Sequence, residues 1–254
     1  MSDFRPGNFQ ILPTIIKNLL IINVLVYLAQ VTATKAVGEH YLEDIFALHT
    51  WQSTLFRPWQ FVTYLFMHGD FMHLLGNMFV LWMFGSVLEN LWGPKRFLVF
   101  YLISGLGAAF CHMIALYFEN NAMLNAYNSL MVNSPDAMSK ILAFIEKYDP
   151  GHRVNDPTYI VELRLNTATL GASGSVFGCL AAFGYLFPNR YIYLNFFLPI
   201  KAKWFVIGYA AVEFFSAVQN SAGDNVAHIA HLGGALVGLI LVYYWNKTNR
   251  RNFY

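Results

Sequence analysis

Residues 97–118 read FLVFYLISGLGAAFCHMIALYF and contain no Lys, Arg, Asp or Glu. A helix that crosses a bilayer needs about 20 mostly apolar residues, so this segment is predicted to be a transmembrane helix. Five other apolar segments of suitable length or nearly so lie at residues 15–33, 73–91, 172–187, 204–218 and 226–245. The predicted fold class is therefore an all-α polytopic membrane protein with six transmembrane helices.

The composition of the whole chain agrees with a membrane protein. Of its 254 residues 57% are hydrophobic and only 12% are charged, whereas a soluble domain carries about 25% charged residues. So few charges cannot cover the surface of a soluble protein, and the lipid bilayer is the expected partner. The net charge of +2 is too small to indicate nucleic-acid binding. The two cysteines, Cys111 and Cys179, lie in apolar stretches and are interpreted as small buried hydrophobic residues.

One membrane domain is predicted over residues 1–254, with a core at about 59–245 and a short cytosolic tail at 246–254. Two connections in it are long. Residues 34–72 mix aromatic and polar residues, which is typical of a segment in the membrane interface. The outer loop at about 119–169 is polar, and an amphipathic helix is predicted in it near residues 138–147.

Basic residues predict the orientation. With six spans, both termini and two internal loops lie on one side, which receives most of the Lys and Arg residues: Arg5, Lys17, Lys95, Arg96, Arg190, Lys201, Lys203, Lys247, Arg250 and Arg251. The short loop 219–225 on the other side has none. The positive-inside rule puts both termini in the cytosol. The expected location is a bacterial plasma (inner) membrane, with the site described next opening to the outer side.

Three polar clusters are predicted to meet near the outer surface. They occupy residues 68–77, 171–174 and 228–231, close to the N-terminal ends of the second, fourth and sixth predicted helices. In the six-span topology these three helices all enter from the outer side, so the clusters lie at similar depths. Polar groups in a bilayer are costly and usually functional, which indicates a site.

The cluster on the fourth helix contains a candidate nucleophile. Residues 171–174 read GASG, which places Ser173 in the first helical turn between Gly171 and Gly174. Free backbone N–H groups and the positive end of the helix dipole lie there and could bind an oxyanion. The alternative is an N-cap serine in a helix that packs through small residues.

The cluster on the sixth helix contains a candidate base. His231, Gly234 and Gly238 are spaced i, i+3, i+7 and share one face. Gly174 and Gly178 form a small-residue face on the fourth helix, so the two backbones could approach closely. His231 would then stand beside the serine as the base of an activated nucleophile. The alternative is a histidine whose hydrogen bonds only join two helices.

The second helix offers hydrogen-bond donors. His73 and Asn77 are spaced i, i+4 and project from one face, where both could donate to a developing oxyanion. His68 precedes the helix and is expected nearer to solvent. A metal site at His68, His73, His228 and His231 is the alternative. No His-Glu-x-x-His pattern and no carboxylate at ligand spacing from a histidine pair accompanies them, so no metal and no cofactor are predicted.

Together these motifs resemble those of the rhomboid intramembrane serine proteases. The resemblance rests on GASG at 171–174 followed by Phe177, on HLGGALVG at 231–238, and on the spacing of His68, His73 and Asn77. It covers roughly residues 59–245. It implies a six-helix rhomboid-like bundle with a membrane-interface loop between helices 1 and 2, and a Ser–His dyad without an acidic third member.

The resemblance also implies a role for each matching residue. Ser173 would be the nucleophile and His231 the general base, while His73, Asn77 and the Ser173 backbone N–H would bind the oxyanion. Supporting roles fall to Phe177, Gly171, Gly174 and His68, and Glu89 matches a structural acidic position. The family often has Trp-Arg before the second helix, where this chain has Trp59-Gln60.

The function implied is that of a serine endopeptidase that hydrolyses peptide bonds in or near transmembrane segments, with transmembrane proteins as substrates. One alternative is a catalytically inactive rhomboid-like protein that binds membrane clients. Another is a small-molecule transporter, which predicts polar residues through the full membrane depth or broken helices at the midplane. Glu213, within the fifth predicted span, is interpreted as a hydrogen-bonding partner of a neighbouring helix and not as a catalytic residue.

Overall fold

The computed structural model describes residues 9–38, 40–130, 137–149, 155–194, 198–219 and 227–248. In these residues the chain is mostly helical. The helices are α1 Thr14–Val37, α2 Tyr41–Phe46, α3 Gln60–Thr63, α4 Phe71–Val80, α5 Ser86–Trp92, α6 Pro94–Leu130, α7 Ala137–Tyr148, α8 Pro157–Leu165, α9 Ser173–Leu186, α10 Ala202–Gln219 and α11 His228–Thr248. A π-helical turn, Leu81–Gly85, joins α4 to α5, and a 3-10 turn, Tyr64–Phe66, follows α3.

A helix lies at each of the six predicted spans, with different bounds. Within the described residues, four helical segments are long and apolar enough to cross a membrane: Thr14–Val37, Phe71–Trp92, Pro94–Leu130 and His228–Thr248. Of the other two, α9 has only 14 residues and α10 has 18. The protein is thus a polytopic helical membrane protein, and the six crossings stay a prediction. A two-stranded antiparallel hairpin, β1 Tyr191–Leu194 and β2 Leu198–Lys201, precedes α10 and was not predicted.

The outer surfaces of these helices are apolar. Large hydrophobic side chains are more than half exposed on several helices: Leu25, Leu28, Phe110, Phe118, Ile207, Val212, Phe215, Leu236 and Ile240. A soluble monomer rarely exposes apolar patches larger than a few hundred Å². The exposed surface therefore fits hydrocarbon and not water, as the composition predicts.

Helix α9 lies at the centre and packs on α11 through glycines. A Cβ placed on Gly234 would overlap the carbonyl group of Gly174, and one on Gly238 would lie 2.8 Å from the Cα of Gly178. Side chains on this face would hold the two backbones apart. The predicted close approach through small residues is confirmed, and it sets the spacing between the first turns of the two helices.

Glu89 joins α5 to the beginning of α1. Its two carboxylate oxygens accept hydrogen bonds of 2.9 Å from the backbone N–H groups of Ile15 and Ile16. The first N–H groups of a helix have no partner within the helix, and the helix dipole favours a negative charge there. Glu89 is 4% exposed, so this capping holds the first helix against the core, away from the site.

Gln60 organises the connection between α1 and α4. Its side chain is fully buried, and its carbonyl oxygen accepts hydrogen bonds from the backbone N–H groups of His49 and Arg57. Its amide donates to the backbone carbonyls of Asp44, Ile45 and Leu55. A neutral amide therefore makes the local contacts at the position where the family often has arginine.

The predicted outer loop contains its own small apolar cluster. The predicted amphipathic helix is confirmed as α7, whereas α8 and the continuation of α6 to Leu130 were not predicted. A second core is formed where these three helices meet, by Met123, Phe144, Ile145, Ile160 and Val161. The hydropathy pattern could not show the continuation, because polar residues from Glu119 onward end the apolar run without ending the helix.

Candidate active site

The three predicted polar clusters lie at one end of the helices. Ser173 is the first residue of α9, His73 the third of α4 and His231 the fourth of α11. Helix α10 precedes α11 in the chain and brings Glu213, in its C-terminal half, to the same place. The site is thus built from first turns of three helices and the later turns of a fourth.

Ser173 and His231 are in direct contact. The Ser173 Oγ lies 2.8 Å from His231 Nε2, the length of a hydrogen bond. Phe177, one turn after the serine, stacks on the imidazole with ring centroids 4.3 Å apart and planes 6° from parallel. The side chain of His231 is 12% exposed. This geometry suits removal of the hydroxyl proton by the imidazole.

Glu213 contacts the other side of the imidazole. Its Oε2 lies 2.9 Å from His231 Nδ1 and 2.6 Å from His228 Nδ1. The residue is 5% exposed. The predicted hydrogen bond to a neighbouring helix is confirmed, with two histidines of α11 as the partners. The expectation that no carboxylate accompanies the pair His228 and His231 is therefore wrong. The partner is on another helix, 15 and 18 positions away in the chain, where sequence spacing does not reveal it.

Glu213, His228 and His231 could hold a metal ion, since one ligand atom from each lies within 4.8 Å of the others. Two of the contacts, at 2.6 and 2.9 Å, have hydrogen-bond lengths. Ligand atoms around a tetrahedral zinc ion, each about 2.0–2.1 Å from the metal, lie roughly 3.3 Å apart. The geometry thus favours hydrogen bonds, and the absence of a metal stays a prediction.

His73 lies over the turn that precedes Ser173. Its own backbone N–H donates to Asp70 Oδ1 at 2.8 Å, so Asp70 caps α4. A Cβ placed on Gly171 would lie 2.8 Å from His73 Nε2 and 3.6 Å from Ser173 Oγ. Gly171 also has a φ of 126°, which side chains other than hydrogen rarely allow. Glycine here therefore brings the imidazole of His73 close to the serine.

Asn77 lies one turn further along α4 and is 7% exposed. Its Nδ2 is buried and has no hydrogen-bond partner within the described parts of the chain. An unpaired buried donor costs free energy, so such groups call for an explanation.

His68 is buried, so the expectation that it lies nearer to solvent is wrong. It is 1% exposed, and neither of its ring nitrogens has a partner among the described residues. Its backbone N–H and carbonyl both bond to Gln30 of α1, and its ring lies 5.2 Å from that of His73. Burial lowers the pKa of His68 to about 4. It is therefore a neutral side chain that packs behind His73.

The neighbouring serine is held away from the site. Ser175 Oγ donates a 2.7 Å hydrogen bond to the backbone carbonyl of Tyr101, and the residue is fully buried. Gly174 is buried too, and a Cβ on it would overlap Ala108. Ser173 is thus the serine of this turn that reaches an imidazole.

A family model of the rhomboid domain matches residues 56–247 of the chain. The chain is 28% identical over 192 residues to RHOMBOID-like protein 12, mitochondrial, of Arabidopsis thaliana, which covers 76% of this chain and 47% of the relative. It is 26% identical over 183 residues to Rhomboid protein 1, mitochondrial, of Saccharomyces cerevisiae, covering 72% and 40%. It is 26% identical over 250 residues to Rhomboid-like protein 11, chloroplastic, of Arabidopsis thaliana, covering 90% and 64%.

The chain therefore spans between 40% and 64% of the length of these relatives. Their names place them in mitochondria and chloroplasts, which points away from the bacterial plasma membrane expected from the sequence. What the membrane-spanning helices show is an integral membrane protein.

Proposed function

Because this chain belongs to the rhomboid family, we propose that it is a serine endopeptidase that hydrolyses peptide bonds in or near transmembrane segments of membrane proteins. The observation that carries the proposal is the 2.8 Å contact between Ser173 Oγ and His231 Nε2. A hydroxyl is a weak nucleophile until a base removes its proton. The contact supplies that base at hydrogen-bond distance.

In the proposed reaction, Ser173 Oγ attacks the carbonyl carbon of the scissile bond while His231 Nε2 takes the hydroxyl proton. The carbonyl oxygen becomes an oxyanion, which the Ser173 N–H, His73 and Asn77 stabilise by hydrogen bonds. The tetrahedral intermediate expels the amine, and the imidazolium gives it the proton. Water then hydrolyses the acyl-enzyme with the imidazole again acting as base.

A catalytically inactive client-binding protein is the second candidate. The hydrogen-bonded pair argues against it, since a binding role does not need a serine and a base in contact. The unpaired Nδ2 of Asn77 argues the same way, because a buried donor without a partner is costly unless charge appears beside it. A transporter would need polar groups that continue along a path, whereas these groups gather at one end of the bundle.

The proposed substrates are membrane proteins. The proposed topology puts both termini on the side rich in basic residues, and one contact supports this topology. The Arg96 guanidinium lies over the ring of Trp245, 4.9 Å from its centroid, so the beginning of α6 and the end of α11 share one end of the molecule. The site is formed by the first turns of α4, α9 and α11. It therefore lies at the end of the molecule opposite to this contact.

Incubation of the detergent-purified protein with a panel of single-span substrates tests the proposal. We expect wild type to cleave at least one of them and Ser173→Ala to cleave none. A fluorophosphonate probe should label wild type at Ser173, and peptide mapping by mass spectrometry should locate it. If folded wild-type protein neither cleaves a substrate nor reacts with the probe, the inactive client-binding alternative is favoured.

A further inference from the structure

We propose that Glu213 is a positioning residue for the proteolytic reaction, so that Ser173, His231 and Glu213 act as a three-membered unit where a two-membered dyad was expected. The inference rests on the proposed function. Its basis is a continuous line of contacts from Ser173 Oγ to His231 Nε2 at 2.8 Å and from His231 Nδ1 to Glu213 Oε2 at 2.9 Å.

The first consequence of the geometry is a defined tautomer. In a neutral imidazole one nitrogen carries the proton and the other accepts. An ionised carboxylate only accepts, so the contact to Glu213 puts the proton on Nδ1 of His231. Nε2 is then the unprotonated nitrogen, and it faces the hydroxyl of Ser173. Without the Glu213 carboxylate, no hydrogen bond to a carboxylate would hold the proton on Nδ1.

The second consequence concerns charge. When Nε2 takes the serine proton, the imidazole becomes a cation with Glu213 Oε2 2.9 Å from its other nitrogen. Glu213 is 5% exposed, while its neighbours on α10, Val212 and Phe214, are 59% and 55% exposed on the apolar surface. Electrostatic attraction is stronger in such a medium than in water. The carboxylate thus stabilises the imidazolium and does not itself take the proton.

His228 orients the carboxylate. Its Nδ1 lies 2.6 Å from the same Oε2 that accepts from His231. A carboxylate oxygen can accept two hydrogen bonds, so the two histidines do not exclude each other. With α10 as its backbone support and two donors on α11, the carboxylate is held on the Nδ1 side of His231. The imidazole hydrogen-bonded to Ser173 Oγ is that of His231.

Two other roles are possible for the same residues. Glu213 could only join α10 to α11, in which case its loss lowers stability but leaves the chemistry of each folded molecule unchanged. Alternatively, Glu213, His228 and His231 could bind a divalent cation. The two roles differ from positioning in what they predict for turnover and for metal removal.

The experiment measures kcat and KM for Glu213→Gln, with the same substrate as wild type. Glutamine has nearly the same size but no charge, and its amide can bind Nδ1 as a donor and so select the wrong tautomer. We expect kcat to fall by about 10²–10⁴, as for loss of charge at the third position of serine protease triads, with KM changed less than threefold. The rate of fluorophosphonate labelling of Ser173 should fall with kcat. Thermal unfolding of each variant is measured in the same detergent.

Two further variants complete the experiment. Glu213→Asp keeps the charge and should therefore have a higher kcat than Glu213→Gln. Recovery should be incomplete, because the shorter side chain draws the carboxylate back from Nδ1. The control is Glu162→Gln, at an exposed glutamate on α8 outside the site, which should keep the wild-type kcat. If Glu213→Gln does not fold, Glu213→Asp decides: a lower kcat with unchanged KM supports positioning, and a wild-type kcat overturns it.

The outcomes separate this inference from the proposed function. Active wild type with a Glu213→Gln variant within threefold of its kcat would overturn the inference and leave the protease proposal standing. Wild type that neither cleaves nor labels would overturn both. Loss of wild-type activity in EDTA, restored by Zn²⁺, would replace positioning by a metal site.

Discussion

Ser173 Oγ and His231 Nε2 lie 2.8 Å apart although 58 positions separate the two residues in the chain. The serine begins α9 and the histidine is in the first turn of α11. Glycines make the approach possible, because a side chain at Gly234 would overlap the Gly174 carbonyl. Helix packing and active-site geometry therefore depend on the same residues.

Substitution of Ser173 by alanine should abolish cleavage and leave the fold intact, because alanine fits a buried helix of small residues. Ser175→Ala should remain active and lose about 1 kcal/mol of stability, since it removes one buried hydrogen bond to Tyr101. Substrate cleavage and thermal unfolding of both variants check this. If Ser175→Ala is inactive and Ser173→Ala is active, the nucleophile is Ser175 and not Ser173.

Loss of either oxyanion donor should slow turnover more than it weakens binding. We expect Asn77→Ala and His73→Ala each to lower kcat by about 10²–10³, because the charge they stabilise exists only in the transition state. Steady-state kinetics with one substrate measures kcat and KM separately. A rise in KM at unchanged kcat would show that these side chains only hold the substrate.

His231, and not His228, should be the base. His231→Ala should be inactive, because it removes the only imidazole described within hydrogen-bond distance of Ser173. His228→Ala should keep substantial activity, since the bond between Glu213 and His231 remains. Fluorophosphonate labelling of Ser173 should disappear in the first variant and persist in the second. The reverse pattern would require a different register of α11 against α9.

The contact between α9 and α11 should tolerate no added side chain. Gly234→Ala should destabilise the protein and abolish activity, because the new Cβ would overlap the backbone of Gly174. Gly208→Ala on α10 is the matched control, since a Cβ there would meet nothing within 4 Å. Unfolding temperature and cleavage are measured for both. Equal behaviour of the two variants would contradict the close packing.

Cleavage should occur near the outer end of the client's transmembrane segment. Ser173 is the first residue of α9, so in the proposed topology the site is shallow and open to water from the outer side. The client helix has to unwind locally to expose a carbonyl, so small or helix-breaking residues near the cut should help. Mass spectrometry of the products locates the cut, and a cut at the cytosolic end would reject the proposed topology.

Several features follow from the local pattern of residues. The apolar runs predict helices at six stretches, the spacing of Gly174, Gly178, Gly234 and Gly238 predicts a close helix contact, and α7 follows from its amphipathic pattern. These predictions depend on periodicity, which a short stretch of sequence contains. The ends of helices are less well defined by it. Helix α6 continues past the apolar run because its backbone hydrogen bonds do not depend on lipid, and its outer end instead packs on α7 and α8.

The burial of single side chains does not follow from the local pattern of residues. His68 stands before a helix, in a stretch where a turn and solvent exposure are expected, yet it is 1% exposed. Gln30 of α1 holds this stretch against the first helix, since its side chain bonds to both backbone groups of His68. A contact between residues 38 positions apart leaves no periodic signal.

The membrane-spanning character and the residue types of the site, including Ser173 and His231, can be derived from the sequence because hydropathy and helical spacing are local properties. The position of the Glu213 carboxylate cannot be derived from the sequence. Its cost in an apolar helix shows that it needs a partner, but the choice of partner depends on how α10 rotates and packs against α11. Only the tertiary structure brings its carboxylate to His228 and His231, because that contact is decided by the packing of whole helices and not by the residues around Glu213.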